Sequence, residues 1–516
     1  MLLLAYLLGT LIGLNAQNVT ITPNGITPAV THPRLSYDDI LALPNPQEGD
    51  IAYDLTFKCL RVYTVNKWLC SYQAYSDNYS SPNAQVFAVT GGTEDDLPQG
   101  VAVDGSGNVY VTGYFNSTAN IGNTSITSVG FSDIFLAKYN SSGNLLWVQS
   151  AGGVFGDLGY DVAIDGSGNV YMTGSFQATA TFGKNTPNQA IIGSSGISDI
   201  FLAKYNSNGV FQWVRSAGGA AADYGQAIAL DANGSVYVTG NYQGTASFNI
   251  TPNITTLTSA GMRDIFLAKY DSNGTFQWVK SAGGASDDFG IDIGLDNSGK
   301  VYITGYYSGT INFGSISKTA MGNTEIFLTK YDPVTDAWVW VQSPGGTSSD
   351  YAYCLAVDGN GNAHIAGNYG GTAAFGDTTL NSTSGNAYIA KYNSSGILQW
   401  VRSASGYNPK IPEGIVLDGS GNAYMTGYYF YTASFGTIST TAAGQSDIFV
   451  AKYNNNGIIQ WVKSAGGTNF EYVSGIAAKE NGSLFVIGYY QGTSSIGTST
   501  VTSAGLNDVF IMRMDK

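Results

Sequence analysis

From residue 84 onward the chain alternates short apolar runs with turns rich in Gly and Asn, and the alternation recurs. One unit reads GYDVAID, NVYMTGSF, DIFLAKY and FQWVRSAGG, with GSGN between the first two runs and NSNG between the last two. Val, Ile, Tyr, Phe and Thr dominate these runs and no stripe of helical period is present, so each run predicts a strand. Gly and Asn tolerate positive φ, so GSGN and NSNG predict tight hairpins. Strands that are apolar on both faces need cover on both sides of their sheet.

Three landmarks fix the period. The turn aspartates are Asp104, Asp165, Asp231, Asp296, Asp358 and Asp418, with Lys479 in the seventh copy. Lys138, Lys204, Lys269, Lys330, Lys391 and Lys452, then Arg513, mark the third run, and six tryptophans from Trp147 to Trp461 mark the fourth. The first three runs occur seven times, but the fourth follows the third only six times before the chain ends. A matching fragment, AQVFAVTGG at Ala84–Gly92, precedes the first copy and would supply the missing outer strand. The expectation is an all-β fold: a seven-bladed β-propeller of four-stranded blades over 84–516, its ring closed by an N-terminal outer strand.

Composition refines this picture. Charged residues are 11% of the 516, and the formal net charge is −14. Such an acidic chain is a poor partner for nucleic acid or an anionic membrane, because phosphates would be repelled. The first 16 residues, MLLLAYLLGTLIGLNA, read as a signal peptide, too short to span a bilayer. Export to a secreted or cell-surface location, without membrane insertion, follows as the expectation. Residues 17–83 form a separate segment with a hairpin module at FKCLRVYTVNKWLC. There Cys59 and Cys70 are either a disulfide or two free thiols. Cys354, in YAYCLAVD, reads as a small buried hydrophobe.

VAVDGSGNVYVTG followed by DIFLAKYNSSGNLLWVQSAGG resembles the SBBP (seven-bladed β-propeller) repeat of exported bacterial proteins. The resemblance covers 84–516 and implies fold and export; it carries no catalytic residues. Residues within 17–83 resemble a short N-terminal module found ahead of varied domains in exported bacterial proteins.

The connections between the second and third runs are long, 16 to 22 residues, and are the expected place for binding. Eight residues before each turn aspartate stands an acid: Asp96, Asp157, Asp223, Asp288, Asp350 and Glu471, with Lys410 as the exception. These positions are expected to encircle the channel mouth, either as caps holding a loop or as a cation site or functional acidic ring. Lys410 is expected to pair with Asp350 or Glu471, leaving weak calcium binding at most. An aromatic column, Phe115, Phe176, Tyr242, Tyr307, Tyr369, Tyr429 and Tyr490, is either a stacking platform for sugars or packing between blades. The Asp-Gly-Ser-Gly-Asn turn offers oxygens at alternate positions, as calcium loops do, but lacks a distal Glu, and a hairpin role is the simpler reading.

Catalysis has little support. The chain has two His, His32 and His364, and no nucleophile elbow, metal-binding His pair, CxxC or phosphate loop. The clearest break in the repeat is YNPKIPEG, which brings Lys410 and Glu413. The expected function is non-catalytic binding of an extracellular protein or glycan on the long-connection face, with the acid column, Lys410 and Glu413 as ligand-binding residues and no cofactor. The alternatives are a carbohydrate-active enzyme using acids on that face, or a purely structural surface module.

Overall fold

The computed structural model describes residues 83–248, 254–383, 385–406, 411–479 and 482–515, together with the backbone of four short strands nearer the N-terminus. Two compact units, 1–80 and 81–516, make up the chain. In the first, Arg34–Leu35, Ile51–Asp54, Cys59–Thr64 and Lys67–Ser71 form one sheet in that order. The last two strands are an antiparallel hairpin that sets Arg61 opposite Cys70. The side chains of Cys59 and Cys70, the leader-like segment and Lys410 lie outside the described residues.

The second unit is built entirely from strands among the described residues. Each repeat forms four antiparallel strands in chain order, as Leu158–Ile164, Val170–Phe176, Asp199–Tyr205 and Phe211–Gly219 do in the second copy. The final copy pairs Glu471–Ala478, Leu484–Tyr490 and Asp508–Met514. Its fourth strand is Ala84–Gly92, with Val509 opposite Thr90 and Met514 opposite Ala84. The innermost strands touch one another in turn, and Glu471–Ala478 touches Asp96–Val103 of the first repeat.

Apolar side chains fill the spaces between adjacent repeats. Ile134 and Leu136 pack with Val170, Met172 and Phe201 of the next repeat, and Phe485, Ile487, Val509 and Ile511 of the last pack with Val109, Val111 and Phe135 of the first. The aromatic column serves this packing: Phe115, Phe176, Tyr242, Tyr307, Tyr369, Tyr429 and Tyr490 are all buried. Four of its hydroxyls meet a serine of the fourth strand, as Tyr307 meets Ser343 at 2.6 Å and Tyr369 meets Ser403 at 2.7 Å.

The long connections are not free loops. They continue as hairpins, for example Thr310–Phe313 with Ile316–Thr319 and Thr493–Ile496 with Ser499–Thr502. Each reaches back to the end of the preceding repeat's fourth strand, where a Gly-Gly pair, or Ser405-Gly406 at one joint, receives it: Gly283 opposes Asn312 and Gly466 opposes Ser495. A Cβ at Gly284 would sit 1.8 Å from the Thr310 carbonyl oxygen, so the close approach requires glycine. Segments that the sequence assigns to recognition are thus largely spent on joining neighbouring repeats.

A second regularity sits in the innermost strands. Every one carries a register shift two to three residues after its start, for instance between Gly159 and Asp161, Ala352 and Cys354, and Pro412 and Gly414. A bulge adds one residue and re-aims its side chain. The seven extra residues, Gln99, Tyr160, Gln226, Ile291, Tyr353, Glu413 and Ser474, are all partly accessible beside buried neighbours.

Candidate functional site: an aromatic-lined axial mouth

The acid column is a set of buried braces. Asp96, Asp157, Asp223, Asp288, Asp350 and Glu471 are at most 2% exposed. The amides of Gly153, Gly219, Gly284 and Gly346 donate to Asp157, Asp223, Asp288 and Asp350 at 2.7–2.8 Å, and Gly92 donates to Asp96 at 2.5 Å. Gln177, Gln243 and Gly370 donate to the second oxygens of Asp157, Asp223 and Asp350. The aspartates stitch the link before each inner strand to neighbouring strand ends, whereas neither oxygen of Glu471 has a hydrogen-bond partner. They do not present a solvent-facing ring.

Facing them is a second acid column, the first residue of each third strand: Asp133, Asp199, Asp264, Glu325, Asp447 and Asp508, all buried, with Asn386 in the fifth repeat. The two columns converge on one glycine per repeat. A Cβ at Gly152 would meet Asp133 Oδ1 at 2.6 Å and Asp157 Oδ2 at 3.0 Å, and one at Gly345 would meet both Glu325 and Asp350 at 2.9 Å. One oxygen of Asp133, Asp199, Asp264 and Asp508 has no hydrogen-bond partner. Burial, reinforced by the facing acid, raises Asp157 and Asp96 to about 7 and Asp288 to about 8. Burial lifts Asp133, Asp199 and Asp264 to about 6. Asn386 belongs to the fifth repeat and Lys410 to the start of the sixth, so both acids are replaced together at that one junction. The signal for this second column was the acid that opens DIFLAKY and its relatives in six of the seven copies.

The turn aspartates fulfil the hairpin role. Asp104 Oδ1 accepts from the amides of Ser106 and Asn108, and Oδ2 accepts from the Asn108 side chain at 2.7 Å. The third-strand lysines lie over the adjacent tyrosine rings at this end, at 4.8–5.1 Å. Among the described residues no group of three or more His, Cys, Asp or Glu is arranged to hold a metal ion.

The chemistry left over gathers on the axis, at the end where the long connections begin. Tyrosines close each second strand there or open each inner strand. Tyr306 meets Phe289 and Tyr351 with ring centroids 4.9 Å apart, and Tyr351 stacks on Tyr353 at 5.9 Å. Across the mouth, Tyr472 contacts Tyr428 at 4.7 Å and Tyr489 at 5.1 Å, and stacks on Phe470 at 6.0 Å. Tyr160 is close enough to Tyr114 and Tyr224 for their charges to reinforce the effect of its own burial, which pushes its hydroxyl up to about 12.

Three acids lie deeper, at or beside the bulge. Asp161 accepts from the amides of Val162 and, in the next repeat, Ile228, at 2.8 and 2.9 Å. Asp292 does the same with Ile293 and Leu355, at 2.7 and 2.6 Å. Both therefore latch one inner strand to its neighbour. Glu413 accepts no hydrogen bond and forms no ion pair among the described residues, and burial raises its carboxyl to about 8. It is partly accessible, at the bulge of its inner strand. Of the proposed ligand-binding residues, Glu413 alone reaches this axial mouth among those described. The tyrosine lining was missed because it is spread over two columns that vary from repeat to repeat.

The SBBP beta-propeller repeat pattern matches residues 90–120 and 212–241. Two segments of the chain thus match a β-propeller repeat. The chain is 25% identical over 474 residues to an uncharacterised WD repeat-containing protein of Acanthamoeba polyphaga mimivirus, covering 77% of this chain and 33% of that protein. It is 28% identical over 243 residues to the regulatory protein FlaEY of Caulobacter vibrioides, covering 46% of this chain and 25% of that one. The chain thus spans a third or less of the length of these curated relatives. Among solved structures, a quinohemoprotein alcohol dehydrogenase from Comamonas testosteroni aligns at 11% identity and TM-score 0.38, covering 84% of this chain and 76% of that one. The polysaccharide lyase Uly1 aligns at 10% identity and TM-score 0.39, covering 85% and 93%.

Proposed function

We propose that residues 84–516 are a seven-bladed propeller closed by its N-terminal strand, exported to the cell surface or beyond. It binds an extracellular protein or glycan at the axial mouth and performs no chemistry of its own. The observation that carries this reading is the tyrosine-lined mouth at the end from which the long connections leave. Concave aromatic surfaces with a few polar groups are the usual form of a ligand site. The connections themselves are engaged in joining blades, which leaves the mouth as the variable surface on a rigid frame. Export rests on the leader-like first 16 residues, and the acidic charge argues against nucleic acid and anionic membrane as partners.

The rival reading, a glycoside-cleaving enzyme, is weakened by the same geometry. Glycosidases use two carboxylates flanking the bond that breaks. Two of the three axial acids have both oxygens engaged by backbone amides. Only Glu413 is left.

A glycan array and a capture experiment on cell-envelope material, run with the parent protein and Tyr472→Ala, test the proposal. The parent should retain a ligand that the folded variant loses. Retention by both would remove the mouth from the account. Polysaccharide cleavage abolished by Glu413→Gln would replace binding with catalysis.

A further inference from the structure

Glu413 differs from the acids that brace or latch the fold. Eleven carboxyls of the paired columns brace links, Asp161 and Asp292 latch neighbouring strands, and Glu471, although neither oxygen has a hydrogen-bond partner, belongs to the column at the joint between repeats. Glu413 stands at the bulge of Ile411–Leu417, in a position held by Gln, Tyr, Ile or Ser in the other repeats, and among the described residues no donor reaches either oxygen. Burying a carboxyl without a partner is costly. What surrounds it is aromatic. Burial first, and the Glu413 charge next or nearly so, holds the hydroxyl of Tyr428 well above its usual range. Glu413 also contributes, behind burial and nearer tyrosines, at Tyr353 and Tyr489. Tyr428, Tyr472 and Tyr489 form a continuous wall, with Tyr428 and Tyr472 edge to face at 78° and Tyr472 and Tyr489 at 29°. None of the cation–ring contacts among the described residues reaches these rings. The nearest such contact at this end, Arg263 over Phe289 at 5.6 Å, is beside Asp287 at 4.0 Å.

Among the described residues, a wall of electron-rich rings beside one carboxyl without a partner and with no cation over the rings is complementary to one chemistry. We propose that the axial mouth binds an organic ammonium group, held against Tyr428, Tyr472 and Tyr489 and neutralised by Glu413. This inference rests on the mouth being the binding face and adds the class of ligand. A neutral glycan would stack on the rings but leave the buried carboxyl unpaired. An ammonium group gains from both: cation–ring attraction strengthens when water is excluded, and the carboxylate supplies the countercharge. The source is either a primary amine, such as a lysine side chain or an amino sugar, or a quaternary ammonium headgroup.

Among the described residues, the titratable groups that feel the Glu413 charge are Tyr353, Tyr428, Tyr489 and Cys354; Tyr428 and Tyr489 also interact with Tyr472, and Cys354 with Asp292. The empty site carries Glu413 mostly protonated at neutral pH, because burial raises it to about 8. A bound cation favours the carboxylate, so binding expels that proton and tightens as pH rises. Asp292, also near 8, keeps its two amide donors throughout and gives the glutamine variant its purpose as a control.

The test is calorimetric titration of the full chain with tetramethylammonium and n-butylamine at pH 6.5 and 8.5, with neopentyl alcohol as the neutral match. The parent should bind at least one ammonium probe, roughly ten-fold more tightly at the higher pH, and not the alcohol. Glu413→Gln should fold, bind more weakly and lose the pH response, and Tyr472→Phe should retain binding that Tyr472→Ala loses. Preference for tetramethylammonium or for butylamine separates the two sources. The inference is overturned if folded parent binds neither probe at millimolar concentration, or if Glu413→Gln binds equally well with the same pH response. If an array ligand depends on Tyr472 but is displaced by neither ammonium, the mouth remains the binding face and only the ligand class is wrong.

Discussion

His364 takes the place that Tyr110, Tyr171, Tyr237, Tyr302 and Tyr424 hold in other repeats. Each of those hydroxyls donates to its turn aspartate, as Tyr302 does to Asp296 at 3.2 Å and Tyr424 to Asp418 at 3.0 Å. His364 is fully buried against Trp400, and neither ring nitrogen has a hydrogen-bond partner. Burial, then the nearby Lys391, depresses it to about 3. Histidine is too short to reach Asp358, so a bond and a cation–ring contact are forgone. His364→Tyr should restore both and stabilise the protein by on the order of 1–2 kcal/mol, read as a higher denaturation midpoint. An unchanged or lower midpoint would mean that the fifth repeat has repacked around the smaller ring.

Among the elements, the joint between each third strand and the next repeat's inner strand is where the charge lies. The repeat period and hairpin turns were legible because Gly, Asn and alternating apolar residues recur at fixed offsets. The fate of the acids was not. Periodicity places Asp157 at the entry to an inner strand, but whether that entry faces water depends on the hairpin folding back over it. The consequence for stability has a definite sign. These carboxyls titrate near 4 when unfolded, whereas burial raises Asp133, Asp199 and Asp264 to about 6, Asp96, Asp157 and Glu471 to about 7, and Asp288 to about 8. The folded state therefore binds more protons between these limits, and its stability falls as pH rises through 6 to 8. His364 works in the opposite direction, below its unfolded value of 6.5, but it is one group against many. Thermal melts should give a higher midpoint at pH 5.5 than at 8.5. Asp264→Asn, which mimics the protonated acid, should shrink the difference. A midpoint that rises with pH would show the acids to be ionised and paired with something else.

For the whole molecule, the axial mouth has meaning only if the inner strands surround it. The missing seventh outer strand could be read from the sequence because AQVFAVTGG matches the fourth run and the last copy lacks one. The tyrosine lining and the role of Glu413 could not, since they depend on a bulge that no residue pattern announces and on side chains converging from different repeats. The pairing of Ala84–Gly92 with Asp508–Met514 is what draws the last repeat to the first. Deep axial groups such as Glu413 lie among tyrosines of the fifth, sixth and seventh repeats, so loss of that pairing would open the site. Gln85 and Arg513 are direct partners across this joint, and Gln85 is exposed. The decisive measurement is oxidation of the Gln85→Cys, Arg513→Cys double variant, with the bridge located by mass mapping and the species sized in solution. The account predicts an 85–513 bridge within one chain, in high yield, on a protein that melts no lower than its parent. No bridge, or a bridge only between two chains, would contradict a closed ring and with it the axial site.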